Sequence, residues 1–466
     1  MKKNKNSSKV RVASDSMGKI NIPKDALYGA QTQRAVNNFP ISGITFNNHF
    51  ISSIVIIKRS AAIVNYKLKL INKKQSSAII KACDYVLKNN ISREFPIDIF
   101  QTGSGTSTNM NVNEVLATLS NKYIKNKKDR LHPNDHINMG QSSNDVIPTA
   151  IHISSLLMVE RCLLPALSKI ESTLLKKVKE FKSVLKIGRT HLQDATPMTL
   201  GQEFSGYEQI IKNSKIQINQ SKKYLFSLAQ GGTAVGTGIN TPKDFGKLIS
   251  LEISNYTKLP FKESKNHFEA QSFQNAALEF SGSLKTLALG IHKIANDIRW
   301  LASGPRSGIG ELIIPPVQPG SSIMPGKVNP VICESVIQVS SQVVANDLAI
   351  TLGGIGSIFE LNLMLPLIGH NLLYSIEILS NSINSFNDKL LIKLQADELK
   401  CKEYIEGSLA MCTSLAPVLG YDTAAKIAYE AYKKNKTIRE ILVSKKLLSN
   451  KKIKELLDPK SMIKPK

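Results

Sequence analysis

The chain has 466 residues, of which 42% are hydrophobic, enough to bury one large core or several smaller ones. The five cysteines include no CxxC pair, so neither a disulfide framework nor an iron–sulfur cluster is indicated. The formal net charge of +25 would attract nucleic acid, but the lysines form clusters without interleaved aromatic residues, so we expect no nucleic-acid partner.

The N-terminal part of the chain carries few strong patterns. Residues 1–9 are basic but lack the apolar segment of a signal peptide, so we expect a cytoplasmic protein. The densest early apolar patch, Ile54–Ile57, ends at two basic residues and is too short to cross a membrane, so no membrane partner is expected. Apolar patterns at Ile20–Ile22 and Ile41–Phe46 predict short β-hairpins.

Three long helices are predicted farther along the chain. Apolar residues spaced three and four apart, which lie on one helix face, run along 156–178, 277–301 and 372–390. The first helix should bend at Pro165, and the second should end at Ser303-Gly304-Pro305. Strand signals are sparse and no βαβ alternation occurs, so the predicted class is all-α, a long-helix bundle with short β-hairpins.

The stretch Glu334–Leu352 suggests how such helices associate. It carries small residues that permit close helix approach in a core shared between subunits, namely Ser340, Ser341, Ala345 and Ala349. We therefore expect an oligomer. The composition becomes more polar after Leu394, which predicts a small C-terminal helical domain (398–466). We expect a mostly helical N-terminal domain (1–140) and a central long-helix domain (141–397) before it.

Four polar segments lack the hydrophobic pattern that packing would explain. They are Gln101–Asn111, Gly140–Asp145, Gly188–Asp194 and Gly320–Pro330. In the last, backbone N–H groups, hydroxyls and Lys327 form a suitable cradle for a carboxylate whose charge grows during a reaction. The alternative is a loop that only turns the chain. Residues 231–238 are glycine-rich but lack the Gly-Lys-Ser/Thr of a phosphate loop, and are interpreted as a structural turn.

The segment Gly320–Pro330 resembles the signature of the fumarase/aspartase superfamily. The resemblance extends through the other three segments and into the tail, from Gly420 to Ser449, so it covers nearly the whole chain. It implies a three-domain all-α fold that assembles as a homotetramer. It also implies active sites built from several subunits, with no cofactor and no metal.

A few positions favour the fumarase branch of the superfamily. His191 stands where aspartate ammonia-lyases typically have glutamine, and Gly326 where they usually have alanine. The implied reaction is the reversible hydration of fumarate to (S)-malate through a carbanion. Ser107, Pro316-Val317-Gln318 and Val331-Ile332 depart from the fumarase pattern, so aspartate ammonia-lyase remains an alternative, as does a non-catalytic member.

The resemblance also implies residue roles. Ser321 is the expected base that removes the C3 proton of malate, and His191 is expected to protonate the departing hydroxyl through a water, with Glu334 tuning its charge. The expected substrate-binding residues are Ser104, Gly105, Thr106, Ser142, Ser143, Asn144, Thr190, Ser322, Lys327, Val328 and Asn329.

A second dicarboxylate site is implied at His132, Pro133, Asn134 and Asp135. His132 and His136 lie four apart and could suggest a metal pair, but Pro133 argues against a helix through both, so no metal is expected. Cys333 is interpreted as a packing residue because the sequence shows no base that would activate its thiol.

Overall fold

The computed structural model describes residues 10–465 and confirms the mainly helical class. The prediction about the leader, residues 1–9, lies outside the described residues. The helices are α1 Ala30–Asn38, α2 Asn48–Lys67, α3 Lys73–Lys88, α4 Thr106–Asn121, α5 Ser143–Met158, α6 Leu164–Glu180, α7 Leu200–Ser221, α8 Phe245–Thr257, α9 His267–Ser272, α10 Asn275–Leu301, α11 Val331–Ile355, α12 Leu365–Lys389, α13 Glu398–Gly407, α14 Ala416–Leu419, α15 Tyr421–Lys433, α16 Ile438–Lys445 and α17 Asn450–Leu456.

The three predicted long helices are present. Helix α10 ends at Leu301, just before the predicted stop, and α12 covers the third pattern. The first pattern is divided between α5 and α6 by a π-helical turn, Val159–Leu163. Pro165 lies two residues after the end of this π-helical turn, so the predicted proline coincides with an irregularity in an otherwise continuous helix.

The strands form small two-stranded sheets. They are β1 Val10–Asp15, β2 Gly18–Pro23, β3 Leu185–Thr190, β4 Gln193–Thr199, β5 Ser227–Leu228, β6 Lys262–Glu263, β7 Leu312–Ile313, β8 Ser357–Ile358, β9 Leu361–Asn362 and β10 Gln395–Ala396. The antiparallel pair β1–β2 confirms the hairpin predicted around Ile20–Ile22. The pair β3–β4 is a second antiparallel hairpin of similar length and was not predicted.

The hairpin predicted at Ile41–Phe46 is wrong. Within this segment only Thr45 forms a β-bridge, to Asp98. The Asp98 carboxylate accepts the backbone N–H groups of Ser42 and Gly43, each at 2.7 Å. A buried side chain therefore takes the hydrogen bonds that a partner strand would have supplied.

The contacts divide the described chain into two compact units. Unit 1 contains residues up to Leu164, Gln217–Thr286 and Gln342–Leu379, and its centre is α2, which packs against α3, α5 and α8. The inward residues of α2, such as Phe50 and Ile54, are fully buried. The predicted division at residues 140 and 397 follows different boundaries and stays a prediction.

Unit 2 contains Pro165–Ile216, Leu287–Ser341 and the chain from Ser380 onward. Its C-terminal helices share a hydrophobic core with the β3–β4 hairpin, in which Ile187 of β3 is fully buried beside Leu415 and Leu442. The base of the hairpin is thus held by packing, while its tip is exposed.

One helical stretch, Ser143–Glu180, is long and apolar enough to cross a membrane by composition. However, 72% of its most apolar window is buried inside the protein, which is typical of a core helix. Its apolar character therefore indicates packing.

Candidate active site

The segment Gln101–Asn111 forms the start of α4, with Gly105 as the residue that precedes the helix. Gly105 has φ +71°, and a Cβ there would lie 2.9 Å from Cγ1 of Ile147 on α5, so glycine is required both by the backbone and by this close approach. The hydroxyls of Ser104 and Thr106 lie 2.8 Å apart. The two predicted substrate-binding side chains therefore flank the N-terminus of one helix.

The segment Gly140–Asp145 forms the start of α5 in the same unit. The Ser142 hydroxyl accepts the backbone N–H of Asn144 at 3.2 Å, and the Asp145 carboxylate accepts the N–H of Ser142 at 2.9 Å. Asn109 of α4 donates to Ser143 Oγ at 3.0 Å, which joins the two helix starts directly. The structure thus brings the first two predicted groups together, and helix N-termini favour anions such as carboxylates.

Asp145 has a structural role that the sequence did not reveal. It is fully buried, and its carboxylate also accepts the backbone N–H groups of Gly231 and Thr233, at 3.2 and 2.9 Å. Burial raises the pKa of Asp145 to about 6, while these hydrogen bonds oppose the rise. The glycine-rich segment 231–238 therefore acts as a turn that braces α5.

His191 lies at the tip of the β3–β4 hairpin, next to Thr190. His191 and Leu192 form the two-residue turn, with φ +55° and +63°. Such turns favour Asn-Gly, because non-glycine residues pay roughly 1–3 kcal/mol for each positive φ. Thr190, His191 and Leu192 are exposed, and the His191 ring makes no hydrogen bond to other described residues. A strained, exposed histidine is typical of a functional position.

A buried ionic cluster lies beneath this hairpin. Lys186 of β3 contacts Glu203 at 2.7 Å and Glu311 at 3.1 Å, and Arg189 of β3 binds the same Glu311. Lys186 and Glu311 are almost completely buried. Two cations and two carboxylates thus balance each other and fix the strand that leads to His191. No local sequence pattern marks Glu311 for this role, because its partners lie more than a hundred residues earlier in the chain.

The loop Gly320–Pro330 surrounds Ser321 with its own backbone. The Ser321 hydroxyl oxygen accepts the N–H groups of Ile323 and Met324, at 3.2 and 2.9 Å. The Asn329 side chain donates to the Gly320 carbonyl and closes the loop. A cavity of about 500 Å³ is lined by residues 316–321 and 324–328, which include Ser321 and Lys327.

Lys327 is exposed and forms no ion pair with the residues the structure describes, so its charge is available to a ligand. Ser322 and Val328 are exposed in the same loop. Glu334 is exposed in the first turn of α11 and is not hydrogen-bonded to His191 within the described chain. Burial raises the pKa of Cys333 to about 12, which fits a packing role for this thiol.

The predicted second site lies on a π-helical turn, Pro133–Ile137. The His132 ring accepts the N–H groups of Asn134 and Asp135, at 3.3 and 3.4 Å. A cavity of about 460 Å³ beside this turn is lined by His132, Pro133, Asn134 and the basic Arg11, among others. Between residues 10 and 465, no three His, Cys, Asp or Glu side chains are grouped as metal ligands would be.

Comparison with known proteins identifies the family. A lyase family model matches residues 18–345, and a model of the fumarase C C-terminus matches residues 411–464. A class II fumarate hydratase from Bacillus cereus is 45% identical over 458 residues, which is 98% of this chain and 99% of the relative. This chain belongs to the class II fumarate hydratase family. The class II fumarate hydratase of Helicobacter pylori strain J99 is 46% identical over 98% of this chain and 99% of its own length.

The fold of this class II fumarate hydratase family member agrees with solved structures. A class II fumarase from Schistosoma mansoni superposes with a TM-score of 0.94 at 40% identity, covering 97% of this chain and 99% of that one. A fumarate lyase from Brucella melitensis, described as a delta crystallin bound to cobalt, gives a TM-score of 0.93 at 39% identity, covering 98% and 100%. The superfamily resemblance and the fumarase branch are therefore confirmed, whereas the individual residue roles remain predictions.

Proposed function

We propose that this protein hydrates fumarate reversibly to (S)-malate, with Ser321 as the base for malate and His191 as the acid on the opposite face. The observation that carries the proposal is the pair of backbone N–H groups aimed at Ser321 Oγ. Hydrogen-bond donors favour the charged form of the group that they bind, so they stabilise an alkoxide at this oxygen. A serine without such donors is a weak base.

Removal of the C3 proton of malate makes the neighbouring carboxylate a dianion, which needs cations and hydrogen-bond donors. Lys327 supplies the charge, and Asn329 with the backbone of Ser322 and Val328 supplies donors on the same loop. The unpaired ammonium and the cavity beside Ser321 support this assignment. The negative charge that develops on the carboxylate is thus stabilised by the loop that also carries the base.

His191 then delivers a proton, through a water, to the departing hydroxyl. Histidine suits this step because its ordinary pKa lies close to neutrality. Glu334 stabilises the protonated ring in the assembled site. The exposure of the hairpin tip supports a role for the imidazole in a site on another chain.

The two carboxylates of the substrate are held by uncharged donors. These are Ser104, Gly105, Thr106, Ser142, Ser143, Asn144 and Thr190. Hydroxyl and amide groups at the starts of α4 and α5 orient an anion without a permanent charge, and the helix dipoles add to the attraction.

The site is completed in a homotetramer that shares active sites between subunits. Helix α11 carries apolar residues even on its exposed side, with Leu348, Leu352 and Ile355 exposed by 59%, 52% and 74%. A helix that is apolar all around is normally buried, and exposed apolar surface of this kind marks an interface. Subunit association thus buries α11 and brings the hairpin that carries His191 into the shared active site.

The remaining assignments follow from the same family relationship. We place the protein in the cytoplasm, with the three domains 1–140, 141–397 and 398–466. The turn at His132–Asp135 is a second dicarboxylate site, supported by the adjacent cavity and by Arg11.

The test of the reaction is an absorbance assay at the fumarate band. L-malate should raise the absorbance and L-aspartate should leave it unchanged. Production of fumarate from aspartate alone would instead assign the aspartate ammonia-lyase reaction, which Ser107 and Pro316-Val317-Gln318 favour slightly. An unchanged absorbance with both substrates would indicate a non-catalytic member of the superfamily.

A further inference from the structure

Lys58 is a buried cation at the centre of unit 1 that has no role in the reaction described above. It lies within α2 and is fully buried. Burial lowers its pKa to about 7, and the nearby Asp145 charge opposes this change. A lysine in such a place costs stability, since an apolar side chain of similar length would fill the same space. Its presence therefore calls for a function.

The ammonium of Lys58 donates to Asn138 Oδ1 at 2.7 Å. In its protonated form Lys58 has only donors, so this contact requires the amide oxygen of Asn138 to face it. The amide nitrogen of Asn138 then donates to the Gln141 carbonyl at 3.0 Å. Lys58 thus fixes which way the Asn138 amide points.

The fixed oxygen of Asn138 orients a second amide. Asn109 Nδ2 donates to Asn138 Oδ1 at 3.2 Å and to Ser143 Oγ at 3.0 Å. Asn113 Nδ2 donates to the same oxygen at 3.2 Å. Since an amide NH₂ can only donate, Ser143 Oγ must accept, and the hydrogen of its hydroxyl is left for another acceptor.

We infer that Lys58 is a positioning residue that acts through Asn138 and Asn109 to keep the Ser143 hydroxyl as a donor toward the substrate carboxylate. This inference rests on the proposed function, in which Ser143 binds a carboxylate. Without Lys58, Asn138 Oδ1 loses its charged donor, and the Asn138 amide keeps only neutral hydrogen bonds to the Gln141 carbonyl and from Asn109 and Asn113. With its strongest restraint removed, the Asn138 amide can turn over together with that of Asn109. The amide oxygen of Asn109 then captures the Ser143 hydrogen, and the substrate loses a charge-assisted hydrogen bond.

The test measures kcat and KM for fumarate in the full-length wild type, Lys58→Met, Ser143→Ala and the double variant. Loss of a hydrogen bond to a charged group should raise KM about ten-fold or more in each single variant, with kcat changed far less. The double variant should be no worse than Ser143→Ala, because both changes remove the same hydrogen bond. Thermal unfolding of Lys58→Met should show a folded protein.

Lys177→Met is the matched control. Lys177 is also buried, but it donates to the Leu394 carbonyl and to Glu180, so its loss should lower stability and leave KM unchanged. An unchanged KM in Lys58→Met would overturn the inference. So would a KM in the double variant that rises by the product of the two single-variant factors, because the two changes would then act independently.

Binding of succinate, measured by calorimetry, separates this inference from the proposed function. Succinate is an unreactive dicarboxylate, so its dissociation constant reports the binding residues without turnover. The dissociation constant of succinate should rise in Lys58→Met by the same factor as KM. If the wild type bound succinate but did not hydrate fumarate, the proposed function would fail while the Lys58 inference stayed testable. Equal succinate affinity in the wild type and in Lys58→Met would reject the inference alone.

Discussion

Arg189 and Glu311 form a two-point ion pair, with Nη1 and Nη2 each 3.0 Å from a different carboxylate oxygen. The pair lies two residues from His191 along β3, and Glu311 is completely buried. A paired guanidinium and carboxylate define both distance and orientation. The position of the hairpin tip therefore depends on a residue more than a hundred positions away in the sequence.

Glu311→Gln tests this dependence. It leaves Lys186 and Arg189 with an incomplete partner, and breaking a buried pair costs about 3–5 kcal/mol in the free energy of unfolding. We also expect kcat to fall about ten-fold, because His191 loses its fixed position. Urea unfolding and steady-state assays measure the two effects. Asp388→Asn, which breaks the exposed pair with Lys169, should change neither quantity noticeably.

The turn at His191 and Leu192 should store strain that can be removed. Replacing both residues with Asn-Gly should stabilise the protein by roughly 1–3 kcal/mol, because these residues suit positive φ, and should abolish hydration. Leu192→Gly separates the effects, since it should stabilise the protein by about 1 kcal/mol while keeping the imidazole and most of the activity. Loss of stability in both variants would show that the turn carries no strain.

The sequence predicted the long helices and most of the polar segments, but it missed the hairpin that carries His191. Apolar residues spaced three and four apart are a local signal, so the helices that cover residues 277–301 and 372–390 could be predicted from the sequence. The hairpin has neither glycine nor asparagine in its turn, and its strands are fixed by Glu311 and the C-terminal helices, which are distant in sequence. Tertiary contacts override local propensity there.

Part of the candidate active site could be predicted from the sequence for a different reason. Ser321 and Lys327 lie within one short segment, so their proximity needs no folding argument. Lys58 sits in an apolar helix and looked like the end of a hydrophobic patch. Only the folded chain shows that this lysine is turned inward to Asn138.

Ser321→Ala should preserve substrate binding and remove most turnover. Loss of a positioned base lowers the rate by about 10²–10⁴-fold, while the carboxylates keep their other donors. Single-turnover kinetics and succinate calorimetry together test this. A rate close to that of the wild type would remove Ser321 from the mechanism. Ser341→Ala, a hydroxyl change on α11 that only removes a bond to the Ile337 carbonyl, is the control.

His152 should make the folded state sensitive to acid. Burial lowers the pKa of His152 to about 4, and its Nδ1 lies 2.8 Å from the Ser227 carbonyl oxygen. Between pH 4 and the ordinary value of 6.5, the unfolded chain binds a proton that the folded chain does not. The free energy of unfolding should therefore fall as the pH falls through this window, by on the order of 3 kcal/mol from this group.

Urea titrations across this pH range check the prediction. Asp145, whose raised pKa stabilises the folded state as the pH falls, acts in the opposite direction in the same range, so the His152 contribution is obtained as the difference between the wild type and His152→Gln. The unfolding free energy of the wild type relative to that of His152→Gln should fall as the pH falls from 6.5 to 4. His49→Gln, at an exposed histidine, should keep the slope of the wild type. Equal slopes in the wild type and in His152→Gln would contradict the assignment.

The central claim is that Ser321 of one subunit works with His191 of another. The most direct test mixes inactive Ser321→Ala and inactive His191→Asn proteins after reversible dissociation, in equal amounts. If each site takes the two residues from different subunits, random reassembly makes about one quarter of the sites fully native, and activity should return to that level. If both residues come from the same chain, the mixture should stay inactive, and the account would be contradicted.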